Sequence, residues 1–120
     1  MKKNEKLLIQ AVKEQIDNAQ YVPEEHRLNK DIMAYTMYIN YFGEIYTPIE
    51  LQKDPWFVIR AIIQLDLDEI EPQIMEIHKN NELILQLLPL DRSKKIELVK
   101  DYFTRNNPNI PIEEVIVLED

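Results

Sequence analysis

Apolar positions recur along this chain at helical spacing in successive stretches, and prolines and amides separate the stretches. Over residues 4–19, Leu8, Val12, Ile16 and Ala19 fall at i, i+4, i+8 and i+11, with Leu7 and Ala11 beside them, which predicts an amphipathic helix. Residues 20–30 form a polar connection, broken at Tyr21-Val22-Pro23. Asn29 is a cap for a second helix over about 30–42, with Ile32, Tyr35, Ile39 and Phe42 on one face and Gly43 at the position after its end. The run from Tyr35 to Tyr46 is also rich in aromatic and β-branched residues, so a strand pair is the competing local reading.

Thr47-Pro48-Ile49-Glu50 has the form of a capping box, with Thr47 at the N-cap, Pro48 at N1 and Glu50 at N3. Tyr46 and Leu51 occupy the two staple positions, and a short helix is expected to start here. Asp54-Pro55 repeats the start signal ahead of the apolar run from Trp56 to Leu67. Trp56, Ile59, Ile63 and Leu67 share a face that Phe57, Val58, Ala61 and Ile62 widen, which makes this the expected central helix, with Trp56 largely buried.

Leu67, Ile70, Ile74, Ile77, Asn81, Ile84 and Leu88 are spaced alternately by three and four residues, a heptad seam that Pro89 ends. Two readings follow. Residues 69–88 form one helix about 30 Å long, whose seam drives self-association with Asn81 fixing register. Or Asn80-Asn81 is a turn between two ordinary bundle helices. Asp91 is a cap for a last helix over about 92–105, with Ile96, Val99 and Phe103 on one stripe and Leu98 and Tyr102 on the next. Asn106-Asn107-Pro108-Asn109 ends it, and Val115-Ile116-Val117-Leu118 has β-type composition within an acidic extended tail, 110–120.

Composition narrows the chemistry. Glycine occurs once in 120 residues, so a glycine-rich phosphate cradle is excluded. Cysteine is absent, which removes disulfides, thiolate nucleophiles and Cys-type zinc sites and fits a cytoplasmic setting. No apolar stretch approaches the ~20 residues of a membrane span. The net charge is −8, and residues 61–120 carry six Lys/Arg against thirteen Asp/Glu, where residues 1–60 carry eight against nine. That balance argues against direct nucleic-acid binding, which needs a basic face, and suits a protein partner with a basic surface.

Individual clusters add little catalysis. Asp66-Leu67-Asp68-Glu69-Ile70-Glu71 fails as a calcium loop, because the sixth position is Glu71 rather than glycine and the twelfth is Ile77 rather than glutamate. Asp66 and Asp68 read instead as helix caps, with Glu69 and Glu71 placed at the positive helix end. His26 and His78 are the only histidines, and neither has metal-site spacing. His26 lies in a polar loop and His78 is expected on a solvent face. Ser93, the only serine, has no nucleophile-elbow glycines around it. Tyr35, Tyr38, Tyr41 and Tyr46, with Met33, Met37 and Phe42, read either as a core helix with a wet edge or as an adhesive protein-binding face.

The expectation is a mainly α single domain over 1–120, a bundle of five or six helices with room for a short C-terminal strand. The alternative is α+β with a small sheet from 35–46 and 114–118. The expected function is a non-enzymatic interaction module: a regulator, inhibitor or immunity-type partner, without cofactor, metal or membrane contact. Its partner-binding residues are Tyr35, Tyr38, Tyr41, Tyr46, Asp66, Asp68, Glu69, Glu71 and Glu76, with a homodimer arising from the 67–88 seam. The alternatives are a DNA mimic that blocks a nucleic-acid-binding protein, and a small helical enzyme using a His–carboxylate pair.

Overall fold

The computed structural model of the chain describes residues 47–116 continuously and, ahead of them, residues 7, 10, 11, 14, 24–26 and 30–34. The fold is mainly helical, and no strand occurs among the described residues. Its helices are α1 (Lys30–Met33), α2 (Ile49–Gln52), α3 (Pro55–Gln64), α4 (Pro72–Ile77), α5 (Glu82–Leu87) and α6 (Arg92–Asn106). Short 3-10 turns cover Glu24–His26 and Ile112–Glu114. Residues 7, 10, 11 and 14 are helical, as the spacing over 4–19 predicts, and α1 opens the helix expected over 30–42. Residues 35–42 of that helix, Gly43 and the proposed 35–46 strand lie outside the described residues.

Helix α3 is the centre of the core. The Asp54 carboxylate accepts hydrogen bonds from the Trp56 and Phe57 amides at 3.0 and 3.3 Å, and Pro55 sits at the first helical position with its φ already set. Every residue from Phe57 to Ile63 is buried. α3 packs against α2, α5 and α6, and α5 also packs against α6. Phe57 is the largest fully buried side chain, at 1% exposure. Trp56 is only partly buried, contrary to expectation, because its place in the first turn directs it to the edge, against Tyr102 and Phe103 of α6.

The heptad seam resolves into two short helices. α4 ends at Ile77, a turn covers His78–Asn80, and Asn81 caps α5 by accepting from the Ile84 amide at 3.1 Å. Helical spacing survives across this break because each half buries its own apolar residues: Leu67, Ile74, Ile84 and Leu88 are all in the core. Ile77 is 42% exposed, so the seam is not continuous. Asp66 and Asp68 do not cap α4, which starts later, at Pro72 with Glu71 in the cap position. At α2 the cap is Pro48 rather than Thr47, and its carbonyl accepts from the Leu51 and Gln52 amides, both at 3.0 Å. Thr47 is buried instead.

Asp91 caps α6 as expected, accepting from the Lys94 amide at 2.9 Å. The helix is closed by its C-cap Asn107, in the left-handed region at φ 47°, a conformation asparagine tolerates better than most residues. Beyond it the described part of the tail, 110–116, forms no strand. Ile112–Glu114 turn once, and Val115 and Ile116 enter the core, the Ile116 amide donating to the Ile112 carbonyl at 2.8 Å. Lys30 ties this turn back to α3, with its ammonium 3.7 Å from Asp54 and 3.9 Å from Glu114.

Candidate functional site

The five acidic candidates lie on the connection from α3 to α4 and on α4 itself. Asp66, Asp68, Glu69 and Glu76 are exposed, and Glu71 is half-buried. They are not equivalent. Asp66 accepts from the Lys95 ammonium at 2.8 Å, and the Lys95 side chain is 1% exposed while that of Asp66 is 52% exposed. Glu76 pairs with Lys79 at 2.9 Å one helical turn on, in an exposed contact; such pairs contribute at most about 1 kcal/mol. The Glu71 Oε2 is buried and has no hydrogen-bond partner among the described residues. Asp68 and Glu69 are exposed and form no ion pair among the described residues, between the Lys95-bound Asp66 and the cap of α4.

Residues 61–82 contain six carboxylates and a single Lys/Arg, Lys79. Lys95 reaches the segment from α6, but from beneath, so its charge offsets Asp66 from the protein side and leaves the solvent side acidic. Two large aliphatic side chains are exposed on the following helices, Ile77 on α4 and Leu85 on α5.

His78 is buried at 6% exposure, not solvent-facing. Its Nε2 lies 2.7 Å from the Gln52 carbonyl. A carbonyl only accepts, so Nε2 carries the proton. The Gln52 side chain continues the network: its Nε2 donates to the Thr47 carbonyl at 2.7 Å, and its Oε1 accepts from Gln73 Nε2 at 2.9 Å. His78 therefore joins α2 to the end of α4 as a structural donor. No residue pattern signals this contact, since the partner is a backbone carbonyl 26 positions away. Lys95 was likewise missed, although it lies four residues before the buried Val99 on α6, and that spacing was the available signal.

Tyr35, Tyr38, Tyr41 and Tyr46 lie outside the described residues, so the structure does not bring them to the acidic connection or separate them from it. Among the described residues, no group of three or more His, Asp or Glu side chains is arranged to hold a metal ion, and no helix is long and apolar enough to cross a membrane. Comparison with protein-family models, with curated proteins and with solved structures gives no match.

Proposed function

We propose that this chain is a non-catalytic interaction module that engages a basic surface on another protein through the α3–α4 connection and the outer face of α4. The observation that carries this reading is the exposure of Asp68, Glu69 and Glu76 in a segment whose one Lys/Arg is Lys79. Carboxylates so placed accelerate association with a cationic surface and select its orientation. Burial of His78, with its ring proton committed to the Gln52 carbonyl, favours a structural over an acid–base role for this residue.

The test uses the triple variant Asp68→Lys, Glu69→Lys, Glu76→Lys. Glu71 is left unchanged, because its half-buried carboxyl belongs to the start of α4. Proteins retained from a host extract by the wild-type chain are purified and titrated against both forms at low and high salt. Loss of affinity at least tenfold at low salt, shrinking as the Debye length falls to ~3 Å near 1 M, supports the reading. Equal affinity for both forms at low salt refutes it.

A further inference from the structure

The end of α3 holds a non-glycine residue where a helix of this type ordinarily places glycine. Leu65 is the C-cap, Asp66 follows at φ 50°, and the Asp66 and Leu67 amides donate to the Ile63 and Ile62 carbonyls at 3.3 and 2.9 Å. These crossed bonds are the Schellman closure, and the burial of both Ile62 and Leu67 supplies its apolar contact. A left-handed residue with a Cβ is under steric strain that glycine avoids. The Lys95 ammonium, buried and 2.8 Å from the Asp66 carboxylate, is the compensating contact. Glycine would close the helix without strain but would leave that ammonium without this carboxylate.

We propose that the Asp66–Lys95 pair is a latch that specifies the conformation of the α3–α4 connection rather than a contact that adds to global stability. Burying the Lys95 ammonium carries a large desolvation cost, and replacing it with an apolar side chain of similar length strands no charge in the core, because the Asp66 carboxylate left behind is 52% exposed. The geometry of the connection has a different dependence. Asp66 is half in solvent and would be well hydrated without Lys95. What holds it in the left-handed region, and so keeps the Leu67 amide on the Ile62 carbonyl, is the fixed position of the ammonium on α6. This inference stands whether or not the acidic segment binds a partner.

Amide hydrogen exchange followed by NMR tests it, with the Asp66 and Leu67 amides compared against the Ile62 and Ile63 amides inside α3. In Lys95→Met the global unfolding midpoint is expected to stay level or rise. The Asp66 and Leu67 amides are expected to exchange roughly 5- to 30-fold faster relative to the α3 reference, the factor that corresponds to the left-handed strain. Adding Asp66→Gly in the Lys95→Met background restores their protection, because glycine takes the conformation unaided. Asp66→Gly alone strands the ammonium and increases the unfolded population. Unchanged relative exchange in Lys95→Met overturns the proposal. So does failure of the double variant to restore protection, or an Asp66→Gly single variant as stable as wild type.

Discussion

Truncating Phe57 to alanine, with Trp56→Ala as its neighbour control, tests where the core lies. The two aromatic residues are adjacent in the first turn of α3, yet their environments differ. Phe57 is 1% exposed and enclosed in the core cluster, whereas Trp56 is partly buried and meets Tyr102 and Phe103 at ring separations of 5.9 and 5.3 Å. Deleting a buried phenylalanine ring removes its transfer energy and leaves a cavity, a loss of about 3–5 kcal/mol. Typical stabilities of 5–15 kcal/mol make that a large fraction of the total. Trp56→Ala loses two edge contacts, each worth about 0.5–1.5 kcal/mol, and part of a ring's burial, for an expected cost of about 1.5–3 kcal/mol. Urea denaturation followed by far-UV circular dichroism compares both variants. In Phe57→Ala the single tryptophan also reports the transition by fluorescence. A loss in Trp56→Ala equal to or larger than that in Phe57→Ala, or a Phe57→Ala loss below about 1.5 kcal/mol, refutes this placement of the core.

His78→Leu should cost about 1–3 kcal/mol in the same assay, because the Gln52 carbonyl loses its buried donor. Asn81→Ala should cost about 0.5–2 kcal/mol through loss of the α5 cap, whereas a continuous 69–88 helix would gain from alanine there. Asn107→Gly should be neutral or mildly stabilising and Asn107→Ala destabilising by about 1 kcal/mol, as thermal melts of the pair will show. Sedimentation equilibrium at micromolar concentration should give a monomer mass, since Leu67, Ile74, Ile84 and Leu88 are already buried within one chain.

The fold was legible where one residue's chemistry decides local geometry. Asp54-Pro55, Asn106-Asn107 and Asp91 mark helix boundaries through side chains that bond the nearest free amides or tolerate a left-handed turn, and no distant contact is needed. The seam was ambiguous because two consecutive helices burying one face each keep a three–four spacing across a short turn; only the Asn81 side chain bonding the Ile84 amide separates the readings. Thr47 was misplaced for another reason: one residue of shift at a helix start turns a side chain by about 100°, and tertiary packing sets that shift. Trp56 was misplaced although its helix starts where expected, because its first-turn position sets it at the edge of the core against Tyr102 and Phe103. For the acidic segment, composition showed the charge and not its arrangement. That Asp66 is spoken for depends on Lys95, 29 positions away, and a lysine on a helix reads as solvent-facing until its burial is seen.

The seating of Val115 in the core has a consequence for how the chain folds as it is made. Helix α6 ends at Asn106, and Val115 and Ile116 follow only after the turn at Ile112–Glu114. At translation rates of ~5–20 residues per second, the ten residues from 106 to 116 take about 0.5–2 s to add. During that interval α3, α5 and α6 are already synthesised, and the site that Val115 fills is open. The nascent domain therefore passes through a stage with an uncovered apolar recess in its core, when a chaperone or a neighbouring chain has its best chance to bind.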